Sequence, residues 1–152
     1  MRMTRLMGPL AVLVVTLLFF SFVTPKNNAD SVVGIWLNGT KKGHVQIYKQ
    51  GDRYYGKLIH LTEPNDPVTG KPKTDSKNTN ASLRERPILG LNIMHGFKYD
   101  ADNSWIDGKI YNPEDGKEYS CKMTLKDPHT LDVRGYVGIS LIGKTQTWTR
   151  LK

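Results

Sequence analysis

The chain has 152 residues and a formal net charge of +8, with 22 lysine and arginine residues against 14 aspartate and glutamate residues. This length suits one domain, and its 24% charged and 9% aromatic residues are typical of a globular protein rather than a disordered one. A single cysteine, Cys121, excludes an intramolecular disulfide, a cysteine-based zinc cluster and an iron–sulfur site.

The amino-terminal segment has the order of a secretory signal peptide. Arg2 and Arg5 precede an apolar run over residues 7–23, which gives way to a polar stretch. We expect residues 1–29 to be a cleaved signal peptide and residues 30–152 to be an exported domain, in the periplasm or outside the cell. The run is marginal for the about 20 apolar residues of a spanning helix, so an uncleaved anchor in the inner membrane is the alternative.

The charge of the exported domain does not favour a nucleic-acid partner. Without residues 1–29, which hold three basic residues and no acidic one, 19 basic and 14 acidic residues remain, a net charge of +5. No block of five or six lysine and arginine residues occurs to follow a phosphate backbone. The remaining positive charge favours anionic components of the cell envelope instead.

Alternation of apolar and polar residues predicts an all-β domain. In the clearest example Tyr119, Cys121 and Met123 share one face, so Cys121 is expected to be buried. We predict a single eight-stranded antiparallel up-and-down barrel, preferred to a sandwich because closure removes exposed strand edges. The eight predicted strands cover residues 32–38, 43–50, 53–61, 89–98, 103–111, 117–126, 131–137 and 145–150.

One long segment, residues 62–88, interrupts this series of strands. Its length is unusual in a compact domain and is often functional. Asn80 is placed to cap a single helical turn over residues 81–86. A flap that only covers one barrel end and a functional lid fit the segment equally well.

The two ends of the domain carry a recognisable pair of motifs. Gly34-Ile35-Trp36 opens the first strand, and Trp148-Thr149-Arg150 closes the last. This arrangement resembles that of the calycins, the lipocalin-like barrels. The resemblance implies structural roles for Gly34, Trp36, Trp148 and Arg150, with the Arg150 guanidinium on the face of the Trp36 indole in a cation–π contact.

A longer resemblance covers almost all of residues 31–150. The chain resembles a family of small exported bacterial proteins, domain-of-unknown-function family 2147. The family implies a signal peptide and a lipocalin-like barrel, and it implies no reaction. The matching segments are 34–37, 67–72, 75–78, 86–91, 108–117, 134–138 and 145–150.

The residues give no sign of catalysis. The four histidines lack the spacing of metal ligands, and neither a Gly-x-Ser-x-Gly elbow nor a phosphate-binding glycine loop occurs. We therefore predict no catalytic residue, no metal site and no cofactor. An enzyme working through the long loop is the least favoured hypothesis, and Asp75, Asn78 and Arg86 would be its polar residues.

The leading hypothesis is a binding protein for a small apolar or amphipathic, lipid-like ligand inside the barrel. The alternative is an interaction module for anionic envelope components without an internal ligand. Core packing is the competing role for each candidate, and Arg134 and Tyr136 would face outward if Leu131 and Val133 face inward. The candidate ligand contacts are Tyr55, Ile59, Met94, Trp105, Tyr111, Met123, Arg134 and Tyr136.

Overall fold

A computed structural model describes residues 28–152. The predicted signal peptide therefore lies outside the described residues, except for Asn28 and Ala29. Within residues 28–152 no helix is long and apolar enough to span a membrane. The elements are a 3-10 helix η1 (Asn28–Val32), strands β1 (Gly34–Leu37), β2 (Gly43–Gln50) and β3 (Arg53–Leu61), a second 3-10 helix η2 (Ala81–Leu83), and strands β4 (Asn92–Tyr99), β5 (Ser104–Asn112), β6 (Lys117–Asp127), β7 (Thr130–Tyr136) and β8 (Gly143–Arg150).

The eight strands form one closed antiparallel barrel, as predicted. Each strand pairs with the next along the chain, and β1 pairs with β8 through Trp36↔Arg150 and Leu37↔Thr149. The fourth strand begins at Asn92 rather than at residue 89, because the chain turns just before it. In that turn the Leu91 amide donates to the Ile88 carbonyl.

The inward side chains are large and tightly enclosed. Cys121 is fully buried, as expected, and its burial raises the pKa of the thiol to about 12. In β5 a bulge with Asp107 at φ +59° lets both Trp105 and Gly108 face inward, three residues apart. The barrel's buried apolar side chains are Trp36, Val45, Ile47, Tyr54, Leu58, Ile93, Met94, Phe97, Trp105, Cys121, Met123, Leu131, Val133 and Trp148.

Helix η1 closes one end of the barrel, which we call the plug end. Val32 is fully buried there, and its carbonyl accepts a 2.9 Å hydrogen bond from the Trp36 indole. The Ala29 carbonyl accepts a 3.0 Å bond from the Trp105 indole. Both indole N–H groups therefore find partners in η1, which removes the cost of burying them unpaired.

The opposite end, which we call the loop end, carries the β1–β2, β3–β4, β5–β6 and β7–β8 connections. In the long β3–β4 connection the Asn80 side chain accepts a hydrogen bond from the Ser82 amide, which confirms the predicted cap. The turn ends at Leu83, earlier than the predicted residue 86. In the β5–β6 turn Gly116 has a φ of +72° and lies against the Lys77 backbone, where a side chain would not fit.

Removal of Ala29 tests the plug. A chain that begins at Asp30, which is the product of the predicted cleavage, lacks the carbonyl that pairs with the Trp105 indole and places a charged amino group beside that donor. We expect its free energy of unfolding to fall by about 1–3 kcal/mol relative to a chain that begins at Asn28. Urea denaturation measures the difference. Equal denaturation midpoints for the two chains would contradict a role for Ala29 in closing the barrel.

Truncation of Trp36 tests the base of the barrel. Because the ring is fully buried, Trp36→Ala should lower the free energy of unfolding by roughly 3–5 kcal/mol. Trp36→Phe keeps a buried ring and serves as the control, with a smaller loss expected. Denaturant titration of both variants gives the comparison, and a loss below about 1 kcal/mol for Trp36→Ala would rule out this packing role.

Candidate functional site

The barrel interior is filled from the plug end to about its middle. Two inward glycines leave room for a bulky neighbour rather than for a ligand. A Cβ on Gly56 would lie 2.7 Å from the Met94 sulfur, and one on Gly108 would overlap the Phe97 ring. Since Met94 and Phe97 are fully buried, these side chains occupy the space that the glycines leave.

The interior is different near the loop end, around Gly135. This residue pairs with buried Cys121 and has the same alternation as Leu131 and Val133, so it faces inward. A Cβ on Gly135 would meet only Ile110 Cγ2 and Tyr119 Cβ, both at 3.8 Å, which is ordinary van der Waals contact. The position therefore has room for added atoms.

The inward residues around Gly135 are only half-buried, in contrast to those at the plug end. Ile110, Tyr119 and Gln146 are all partly exposed. Gln146 pairs with Val133, and its side-chain oxygen accepts a hydrogen bond from the Trp148 indole. We call the group Ile110, Tyr119, Gly135 and Gln146 the recess.

Three predicted ligand contacts do lie inside the barrel. Met94, Trp105 and Met123 are fully buried and pack into the filled part of the interior. Trp105 lies at the plug end, where its ring contacts Tyr54 edge-on with 6.2 Å between ring centroids. These positions are below the recess, in the core.

Two other predicted contacts, Tyr55 and Ile59, lie on the outer face of β3 rather than in the interior. Their neighbours Tyr54 and Leu58 are buried, and successive side chains of a strand point to opposite faces. Tyr55 stacks on Tyr48 of β2, with 5.8 Å between ring centroids.

Tyr111, Arg134 and Tyr136 also face outward. Leu131 and Val133 are buried and face inward. Arg134 and Tyr136 therefore lie on the outer face of β7, as expected for that orientation. The Tyr111 hydroxyl donates a 2.6 Å hydrogen bond to Asp75 of the long loop. The contacts of Arg134 are with the β7–β8 connection.

Two clefts of the described residues lie outside the barrel interior. The smaller, about 150 Å³, lies on the outer face of β6–β8 and is lined by Lys122, Lys126 and Arg134 among others. The larger, about 620 Å³, lies at the plug end between η1 and the β6–β7 turn. Neither cleft reaches the recess residues.

The three predicted loop residues come together in one buried cluster. Asp75 is fully buried, and its carboxylate accepts hydrogen bonds from Tyr111 on one oxygen and from Asn78 and Arg86 on the other. The Arg86 ion pair is 2.8 Å long. The cluster therefore fastens the long loop to β5, and we call it the latch (Asp75, Asn78, Arg86 and Tyr111).

The electrostatics of the latch keep Asp75 charged. Burial alone would raise the pKa of this carboxyl, but hydrogen bonds from Tyr111, Asn78 and Arg86 outweigh it and hold the pKa below its ordinary value of 3.8. A buried carboxylate with both oxygens engaged is poorly placed to take a proton from a substrate. The geometry supports an anchoring role for the latch.

Metal-binding side chains do not converge in the described part of the chain. Residues 28–152 hold no group of three or more histidine, cysteine, aspartate or glutamate side chains that could bind a metal ion. His44 and His60 pack against each other with 4.4 Å between ring centroids. Desolvation and the neighbouring His60 lower the pKa of His44, which favours a neutral His44 ring at neutral pH.

The plug end has the motif geometry that the calycin resemblance implies. The Arg150 guanidinium carbon lies 4.2 Å from the centroid of the Trp36 ring. Its nitrogens donate to the carbonyls of Ser31, Val33 and Pro128. Gly34 lies against the Arg150 side chain, where a Cβ would not fit. An eight-stranded closed barrel with this base is lipocalin-like.

Comparison with known proteins agrees with this class. A family described as "Uncharacterized protein conserved in bacteria (DUF2147)" matches residues 34–150, so the chain belongs to that family. Protein HP1028 from Helicobacter pylori, described as belonging to the lipocalin family, is similar in structure with a TM-score of 0.68. It is 24% identical, and the match covers 79% of this chain and 82% of that chain, which shows the shared fold. No curated protein matches the chain.

The residues of the recess are absent from the sequence-based candidates. Tyr119 has the same alternation as Cys121, and Gly135 the same as Leu131, so the pattern could have placed both inside. The alternation does not show whether the space beside an inward glycine is open or is occupied by a neighbouring side chain. That difference depends on side chains from other strands.

Neutralising Asp75 tests the latch. Asp75→Asn keeps the shape of the side chain but loses the charge that Arg86 and Tyr111 contact, so we expect a loss of about 1–3 kcal/mol in the free energy of unfolding. Because the folded pKa is lowered, the wild-type advantage should be complete well above pH 3.8 and should disappear as the pH falls below that value.

Denaturant titrations from pH 7 to pH 3 measure this effect. Glu85→Gln removes an exposed carboxylate from the same loop and is the matched control, with little change expected. An Asp75→Asn chain as stable as the wild type at pH 7 would show that the latch does not hold the loop.

Proposed function

We propose that this protein is an exported lipocalin-like binding protein that holds a small apolar or amphipathic, lipid-like ligand in the recess. The observation that supports the proposal is the gradient of burial along the barrel. Inward residues are fully buried at the plug end, but Ile110, Tyr119 and Gln146 are half-buried at the loop end. A barrel closed at one end and accessible at the other is suited to receive a small molecule.

The recess favours a narrow ligand. Met94 and Phe97 fill the middle of the barrel, so a ligand would extend only a short way into it. Ile110 and the Tyr119 ring offer apolar contact, whereas Gln146 and the Tyr119 hydroxyl, which donates to Asp115, offer polar groups near the opening. An acyl chain or similar apolar group with a polar head has the matching chemistry.

Export is part of the proposal. The basic, apolar and polar order of residues 1–29 supports a signal peptide, and the +5 charge of residues 30–152 supports an anionic environment such as the cell envelope. Native mass spectrometry of protein purified from its own host tests both parts. The mass of the chain gives the amino terminus, and any retained lipid appears as an added mass.

Filling the space at Gly135 tests the recess directly. Gly135 is not among the residues with positive φ, so its backbone accepts a side chain, and Gly135→Phe should occupy the recess while the barrel folds. We expect the wild type to bind the apolar fluorescent probe N-phenyl-1-naphthylamine and Gly135→Phe to bind it at least about tenfold more weakly, a difference of about 1.4 kcal/mol.

A matched bulky substitution controls for nonspecific probe binding. Lys98→Phe places the same ring on the exposed outer face of β4 and should leave probe affinity unchanged. Thermal unfolding of all three chains verifies that the barrel is intact. Equal probe affinity in the wild type and a folded Gly135→Phe variant would overturn the recess as the binding site.

A further inference from the structure

The β7–β8 connection exposes an unusual number of aliphatic side chains. Val137 is 68% exposed, Ile139 59%, Leu141 85% and Ile142 69%. We call residues 137–142 the apolar loop. Single exposed aliphatic residues are common on soluble proteins, but a contiguous apolar patch marks a site of interaction.

The backbone of the apolar loop is held in place from within the protein. Arg134 donates a 2.7 Å hydrogen bond to the Ser140 carbonyl and a 3.2 Å bond to the Leu141 carbonyl. Its third contact, 2.9 Å to Thr145, fixes the guanidinium on β8. The loop therefore presents its side chains without having to become ordered on contact.

These contacts satisfy the carbonyls at the tip. The Ile142 carbonyl accepts from the Val137 amide and the Ile139 carbonyl from the Ile142 amide, so all four carbonyls of residues 139–142 have partners. In hydrocarbon a backbone carbonyl without a partner costs several kcal/mol, because no water is present to replace it. A tip with paired carbonyls and projecting aliphatic side chains is thus suited to enter a lipid layer.

The size and shape of the loop also favour lipid over a protein partner. A stable protein interface buries more than about 1,000 Å² with complementary packing. The six residues of this loop form a small apolar patch rather than a face of that extent. A lipid layer accepts such side chains individually, since its acyl chains adapt to their shape.

The charges near the apolar loop indicate which lipids it meets. Lys144 is exposed two residues beyond the loop, and Lys122 lies opposite Arg134 across the β6–β7 pair. Two acidic residues lie near them: Asp132 accepts a hydrogen bond from Thr147, and Glu118 is exposed on the same face of β6 as Lys122. Together with the net +5 charge of residues 30–152, this basic flank matches an anionic headgroup layer.

We propose that the apolar loop inserts into the surface of an anionic lipid bilayer and docks the barrel there by its loop end. The contact does not depend on a ligand in the recess. Because Gly135 lies two residues before Val137, docking turns the end of the barrel that holds the recess toward the bilayer.

The test uses tryptophan reporters, since their response is local to the position that carries the indole. Leu141→Trp places an indole at the tip, and Leu151→Trp places one on an exposed apolar residue at the plug end. A chain that begins at Asn28, and therefore lacks the apolar run of residues 7–23, is mixed with vesicles of phosphatidylcholine and phosphatidylglycerol whose acyl chains carry bromine. We expect quenching and a blue shift of emission for Leu141→Trp beyond the wild-type signal, and no added quenching for Leu151→Trp.

A second variant keeps the test decisive if the reporter disturbs the loop. In the same chain, Leu141→Ser combined with Ile142→Ser leaves Arg134 and the loop carbonyls in place. This double variant should lose the co-sedimentation with vesicles that the unsubstituted chain shows. Absence of quenching in a folded Leu141→Trp chain, or equal quenching of both reporters, would overturn docking by the loop. Equal quenching by pure phosphatidylcholine vesicles would overturn the anionic preference, and a dimer lost in the double serine variant would show that a second copy covers the loop instead.

Discussion

The contact between Arg150 and Trp36 is the constraint on which the barrel depends. The β1–β8 pair has only two register positions, Trp36↔Arg150 and Leu37↔Thr149, so the ladder itself holds this seam weakly. Arg150 compensates by lying on the indole and donating to three carbonyls, which ties the last strand to η1 and to the β6–β7 turn. Burial lowers the pKa of this arginine, yet an arginine side chain stays charged at neutral pH.

Closure at the plug end determines where the barrel can act. Three indoles and the Tyr54 ring occupy the interior near η1, and Met94 and Phe97 fill the middle beside Gly56 and Gly108. Of the three inward glycines Gly56, Gly108 and Gly135, only Gly135 has open space beside it. The same end carries the long connection held by the latch and the β7–β8 connection held by Arg134. The loop end is therefore the end at which the proposed ligand would enter, whereas the plug end holds the buried core.

The sequence predicts the strands well, because apolar and polar residues alternate every second position, as the inward and outward side chains of a strand do. It predicts the interior less well, because bulges shift that alternation, as Asp107 does between Trp105 and Gly108. Adjacent apolar residues add a second ambiguity: Tyr54 and Tyr55 fit either face, and only packing against Trp105 selects Tyr54. The recess was missed because its main feature is the absence of a side chain at Gly135.

At the loop end several charged groups have partners within the protein. Lys42 pairs with Glu114, Asp115 with the Tyr119 hydroxyl, and Arg134 with loop carbonyls. Each of these contacts removes a polar group that would otherwise resist leaving water. The aliphatic side chains of residues 137–142 are left as the parts of this connection with most to gain from an apolar environment. A connection whose carbonyls at residues 139–142 are paired, and whose aliphatic side chains are exposed, is suited to meet a lipid phase.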